Sequence, residues 1–395
     1  MKAFRELLLG AAAGHALSMA IAASVLAPVV AHAGDAMPII TPMDHGTAMG
    51  DSAPPPPATL TWVMMAPAGE FMLNYNPTFM GMAGNYIGDK KVSDAYIGTN
   101  VPSGMTMMMK GMGGVMKPMS VPERVIPSTM DMQMHMFNAM YGVTDSINVM
   151  AMTGYVEKSM SMITYASPMM SPSNLTKFLG TSSGTTEGLS DTMVGASYKL
   201  YQDATSRVII GLNLSLPTGS QTRQITMLSP MNMFITMRAP YGMQIGSGTV
   251  DLLPSIAYTG HLGLWSWGLG YRGRFALDNN SEGYRFGDLH ELHGWGGYIV
   301  LPGVTTTLHV VGSTQDHIHG SDPVIAAMTM SQNMNPDYYG GQRVTLLGGI
   351  ELSGAPWGYG KSALALEAGG PIYQNLDGPQ LGQAWQVSLS GRLMF

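Results

Sequence analysis

QAWQVSLSGRLMF, Gln383–Phe395, alternates with a period of two along its whole length. Trp385, Val387, Leu389, Gly391, Leu393 and Phe395 fall on one face, and Gln386, Ser388, Ser390 and Arg392 on the other. Successive side chains of a strand point to opposite faces, so this is a strand with one apolar and one polar side. The chain then stops. As the edge of a soluble sheet such a strand would expose an apolar row of unpaired backbone groups, an aggregation hazard. As the closing strand of a membrane barrel it has lipid on one side and a polar lumen on the other. The expected fold is therefore all-β, a transmembrane antiparallel barrel of outer-membrane type, with Phe395 as the terminal signal offered to the barrel-assembly machinery.

The other end of the chain agrees. Lys2 and Arg5 precede a mostly apolar Leu7–Val30, and Ala31-His32-Ala33 is a small-x-small cleavage site, so residues 1–33 read as a secretory signal peptide. Later segments lack ~18 uninterrupted apolar residues, which excludes a spanning helix. An exported chain without such helices crosses a membrane as a closed barrel, because every backbone polar group must then be paired internally. The expected location is the bacterial outer membrane, with its lipid as one partner. Residues 34–66, with Pro54–Pro57, read as a Pro-rich periplasmic linker, and residues 67–395 as the barrel. Charged residues are 11% and Gly numbers 50, which suits lipid-facing strands with small residues within. With no Cys there is neither a disulfide framework nor a thiolate metal site. A net charge of −6 argues against nucleic acid as a partner.

About twelve strands follow, near residues 69–78, 130–141, 146–158, 190–201, 207–217, 248–259, 264–277, 287–301, 304–313, 341–353, 361–373 and 383–395. Short turns, such as Gly142–Asp145 and Pro302-Gly303, alternate with mostly longer loops. That sorting is the topology of an outer-membrane barrel: periplasmic turns, extracellular loops and periplasmic termini.

Tyr141-Gly142-Val143-Thr144-Asp145-Ser146-Ile147-Asn148-Val149, Gly188-Leu189-Ser190-Asp191, Ala196-Ser197-Tyr198-Lys199-Leu200 and Leu214-Ser215-Leu216-Pro217-Thr218-Gly219 mark turns and strand ends. In these segments the chain, over roughly residues 130–395, resembles the outer-membrane transporter family associated with the meta-pathway of phenol degradation. The resemblance implies an outer-membrane channel loosely associated with aromatic compounds. The Met-rich outer loops depart from it.

Local enzymatic motifs are absent: there is no Gly-x-Ser-x-Gly elbow, no phosphate-binding Gly-rich loop and no His-Glu-x-x-His pair. The chain reads as a non-enzyme. Arg272, Arg274, Glu291, His293, Arg343, Glu351, Glu367 and Arg392 lie on strands, where a charge facing lipid costs ~2–4 kcal/mol near the midplane, so they should face the lumen. There they either line an open pore or satisfy one another and plug it.

The 38 Met residues are the compositional anomaly. Met105, Met107, Met108, Met109, Met112, Met116 and Met119 crowd one outer loop, and further Met residues fall in the other long loops. Thioethers are soft ligands that select Cu(I). Met43, His45 and Met49 in the linker, His317 and His319 in the fifth loop, and His290 on the adjacent strand extend the same donor set. The leading expectation is a barrel that passes a small solute or metal ion, with copper captured by these loops. The alternatives are a channel for small hydrophobic or aromatic compounds, in which Met forms an adaptable apolar entrance, and a plugged structural or binding barrel. In the second strand, Met130, Met132, Met134 and Met136 share one face and Asp131, Gln133 and His135 the other; there the Met face is expected to meet lipid.

Overall fold

A strand that alternates apolar and polar residues needs lipid or core on one side and a polar filling on the other, and this chain meets that need by closing its sheet. A computed structural model describes residues 55–57, 59–110, 116–171 and 174–395. The expected signal peptide, and Met43, His45, Met49 and Met112, lie outside the described residues. The wall is built from β1 (Phe71–Gly88), β2 (Val125–Gly142), β3 (Ile147–Tyr165), β4 (Phe178–Leu189), β5 (Thr192–Gln202), β6 (Ser206–Leu216), β7 (Asp251–Leu262), β8 (Trp265–Ala276), β9 (Leu289–Leu301), β10 (Val304–Gln315), β11 (Gly341–Ser353) and β12 (Ser362–Met394).

Every pairing in the wall is antiparallel, and the eleven-strand ring runs β12–β11–β10–β9–β8–β7–β6–β5–β3–β2–β1, with β1 paired back to β12. β4 pairs with the outer half of β3 and β5 with its inner half, so β4 and β5 form one crossing broken at Ser190-Asp191. An all-antiparallel ring closes only on an even number of crossings. β12 supplies the one that eleven names omit. Its residues 363–376 pair with β11, while its residues 376–394 pair with β1. The chain reverses near Gly378, at a φ of +103° that only Gly adopts freely. Gln374 Nε2 then donates to Gln383 O at 3.0 Å across the two arms. The crossings thus number about twelve, in agreement with the sequence.

Both ends of the barrel chain lie on one rim. Phe71 N–H donates to Phe395 O at 2.8 Å, and Phe395 N–H donates to Phe71 O at 3.0 Å. The turns on that rim are short, and the connections on the other are mostly long. Phe71, Leu73, Tyr75, Phe137, Ile210, Leu212, Leu269, Leu308, Leu366 and Leu393 are exposed on the outer surface. Aromatic pairs sit near the short-turn rim, Phe71 with Tyr141 at 4.6 Å and Trp265 with Tyr298 at 4.6 Å between ring centroids. An apolar band edged by aromatic rings is what an outer-membrane barrel presents to lipid. The protein is an outer-membrane β-barrel.

Several stretches of the sequence fold differently from expectation. β1 runs on to Gly88, β2 begins at Val125, and Phe178–Leu189 is a strand, so the first loops are shorter and the wall taller. The larger correction concerns β2. Met130 and Met140 are buried, whereas Asp131 and Gln133 are exposed, so the Met row faces the lumen and not lipid. Parity follows from Phe137, which is exposed beside Tyr75 in the aromatic band. β2 has 18 residues, more than the ~9–11 that cross a bilayer, so its outer half rises past the lipid and its outward face is polar there.

Candidate functional site

The lumen has two unlike walls. One is thioether. Inward-facing Met72, Met80 and Met82 of β1 meet Met130, Met132, Met134, Met136 and Met140 of β2, which continue to Met150, Met152, Met160 and Met162 of β3 and to Met193 of β5. The register places Met72 beside Met140 and Met140 beside Met150, Met80 beside Met132, Met82 beside Met130, and Met130 beside Met160. Gly154 leaves room for this packing, since a Cβ there would lie 2.4 Å from Met136 Sδ. Thioether side chains are flexible and polarisable, so such a wall adapts to apolar shapes.

The opposite wall is ionic. Arg272 Nε and Nη2 donate to Glu291 Oε2 at 2.9 and 2.5 Å, Arg274 Nε to Asp251 Oδ2 at 2.6 Å, and Arg392 Nη2 to Glu351 Oε1 at 2.7 Å. His293 Nε2 is 3.8 Å from Glu291 Oε2, His293 Nδ1 is 3.1 Å from His309 Nε2, and His309 Nδ1 is 2.7 Å from Glu367 Oε1. Arg343 Nε reaches Gln374 Oε1 at 3.3 Å. Burying these charges is tolerable because each is paired or hydrogen-bonded. His309, Asp251 and Arg207 belong to this wall too. The sequence reading overlooked them, although His309 stands in the inward row Thr305, Thr307, His309.

The outer mouth is closed by a core. Met160, Met162, Val125 and Met130 from the wall pack with Ile225, Met227, Tyr241, Met243, Tyr284, Ile318, Ile325 and Met334 from three folded-over loops. Arg238 clamps the loops together, pairing with Glu282 and with buried Asp322, the latter at 2.5 Å. Lys158 Nζ donates to the carbonyls of Gly242 and Gln244 at 3.0 and 2.6 Å, pinning the third loop to the wall.

The inner half holds a plug. Leu60–Ala66, at the end of the stretch read as a linker, runs inside the barrel with Leu60, Trp62, Val63, Met64 and Ala66 buried. Thr61–Val63 forms a short 3₁₀ turn. Thr59 Oγ1 donates to Glu367 Oε2 at 2.6 Å, Arg207 Nη2 to Val63 O at 3.4 Å and Arg392 Nη1 to Met64 Sδ at 3.2 Å. Trp62 clusters with Ala257 and Trp295 and lies edge-on to His293, 5.5 Å between centroids. A signal was present in the sequence: Leu-Thr-Trp-Val-Met-Met, residues 60–65, is too apolar for a solvated linker.

Among the described residues, those expected to bind metal are scattered. Met107 faces Met119 across a rim hairpin, Pro102–Lys110 with Met116–Pro122, and Met109 pairs there with Lys117 through its backbone. Met108 and Met116 are exposed on that hairpin, while Met105 is half-buried. His317 and His319 lie 4.9 Å apart between ring centroids. His290 is on the outer face, 2.8 Å from the Tyr271 hydroxyl and against Phe275, so it does not join them. Among the described residues no group of three or more His, Asp or Glu is placed to hold a metal ion. Copper binding is not supported by this arrangement.

No protein-family model matches the sequence, and a search of curated proteins returns no match. Among solved structures, the chain is similar to an outer membrane channel from Pseudomonas putida F1, at 14% identity and a TM-score of 0.48, over 89% of this chain and 100% of that one. It is also similar to the Ralstonia pickettii toluene transporter TbuX, at 11% identity and a TM-score of 0.39, over 86% and 92%. The β domain of the Bordetella autotransporter BrkA is similar at 11% identity and a TM-score of 0.41, over 82% and 99%.

Proposed function

We propose that this barrel is an outer-membrane channel for small, neutral, apolar solutes, aromatic ones included. The observation that carries the reading is the thioether surface that runs from the mouth to the plug, interrupted by Asn138 and Lys158. Met160 and Met162 belong to the mouth core, and the same wall continues inward through Met132, Met134 and Met136 to Met150 and Met152, beside the plug. A hydrated cation gains little from such a wall, whereas an apolar solute exchanges water for dispersion contacts and sulfur–ring contacts of ~0.3–1.5 kcal/mol each. The ionic wall is largely neutralised by its own pairs and keeps the barrel in shape. The plug and the mouth core close the two ends, so passage requires both to yield.

The test is accumulation of naphthalene by intact cells whose outer membrane contains the protein, against cells carrying an empty vector. Faster entry with the protein is expected. Equal entry in the two strains would remove the reading.

A further inference from the structure

We infer that Trp62 is a tethered stand-in for a planar aromatic solute. The cradle it fills, among Gly270, Ala257, His293 and Trp295, is the lumen's aromatic binding site, and solute takes that site by displacing the plug. The inference rests on the channel reading above and names the solute class and the position at which it binds.

Three observations converge on this cradle. First, the wall is cut away to receive rings. β8 turns Gly268 and Gly270 inward, and a Cβ on Gly270 would lie 2.5 Å from Trp62 Cη2, while one on Gly268 would lie 2.1 Å from Trp295 Cζ2. An inner strand that gives up two side chains in alternate positions creates a flat recess, and glycine is the residue that permits such close approach. Second, the ring that fills the recess is imperfectly served there. The Trp62 Nε1 atom is buried and has no acceptor among the protein groups. A buried donor without a partner is penalised, and a carbocyclic ring of the same shape carries no such donor. Third, the cradle adjoins the thioether wall. A void of about 40 Å³ beside Trp62 is bounded by Met150, Met152, Met193 and Leu253 together with the polar Asn138, Asn213 and Arg272. The indole edge thus lies beside the inner end of the Met wall.

The plug is held mainly by burial of Leu60, Trp62, Val63, Met64 and Ala66, a non-directional hold that an apolar solute taking the same space can replace. Among the described residues its polar attachments to the wall are the Thr59 hydroxyl on Glu367, a 3.4 Å contact from Arg207 to Val63 O, and a guanidinium–thioether contact at Met64. A ligand that competes with a tethered occupant binds with its intrinsic affinity reduced by the fraction of open plug. Removing the occupant restores that affinity.

The experiment uses the full chain in detergent, with naphthalene as the probe because it is a fused bicycle close to indole in size. The native sequence has no Cys, so Thr59→Cys gives a single thiol that reports plug release to a water-soluble maleimide. Saturating naphthalene should raise the labelling rate about tenfold or more, and the non-planar decalin should do so far less. Independently, Trp62→Ala, checked for folding by heat-modifiable mobility, should bind naphthalene about tenfold tighter than the native chain. Unchanged labelling together with equal naphthalene affinity in the native chain and Trp62→Ala would overturn the inference. If cells expressing the protein still accumulate naphthalene faster than vector controls, only this inference falls. If they do not, the channel reading falls with it.

Discussion

Glu123 shows how a single residue of the outer rim is tuned by its surroundings. It lies just before β2, fully buried, and neither carboxylate oxygen has a hydrogen-bond donor. Burial pushes its carboxyl up to about 8, and the adjacent Arg124 guanidinium only partly offsets that rise. The folded chain thus holds this proton more tightly than the unfolded chain. Stability of the rim should therefore fall as pH climbs from about 4.5 towards about 8, and then level off. Glu123→Gln should remove that slope and strengthen the segment 89–124 above pH 8. Hydrogen exchange of this segment across the pH range checks it, and an unchanged slope in the variant would show that Glu123 is not its source. This residue was not legible in the sequence, because its burial depends on Val101 and Met330, whose backbone carbonyls accept from the Glu123 and Arg124 N–H groups.

At the scale of elements, the loops that fold over the mouth share one ionic junction at Arg238, beside hydrogen bonds that tie them to the wall at Lys158, Thr164 and Thr186. Arg238 joins the third loop to Glu282 of the fourth and Asp322 of the fifth, and Asp322 also caps the turn Pro323–Ala326 through Val324 N–H. Removing the guanidinium leaves Asp322 as an uncompensated buried charge, a defect worth roughly 3–5 kcal/mol. Arg238→Ala should therefore raise hydrogen exchange in residues 223–243 and 322–334 while the barrel strands stay protected. Equal protection throughout would place the strength of the cover in its apolar core instead. Strand periodicity exposed the wall to sequence reading, and β11 matches its expected bounds, 341–353, residue for residue. The facing of β2 was less legible. Asp131, Gln133 and His135 look like a lumen row until the height of the strand shows that they stand outside, above the lipid.

For the molecule as a whole, the even count of crossings, the sorted loop lengths and the lipid-facing band could all be read from the chain, because each is set by local periodicity. The plug was legible only as an apolar stretch, since Leu60–Ala66 finds its partners on β6, β7, β9 and β12 only after the ring has closed. The Met residues were conspicuous in number, but their role turned on which way each strand faced. Met107 and Met119 stand on the rim, whereas Met160, Met162, Met227, Met243 and Met334 form the apolar core of the mouth.

The thioether wall is the centre of this account, and its most direct test compares two triple variants of β2. Met132→Leu, Met134→Leu and Met136→Leu together keep the apolar volume, and the matching Gln triple keeps the length while adding an amide at each position. Naphthalene entry into intact cells should be retained within about twofold by the Leu variant. It should drop about tenfold or more with Gln, because each amide must be desolvated for an apolar solute to pass, at ~1–3 kcal/mol. Equal entry through the Leu and Gln variants, with both matching the native protein, would contradict the account.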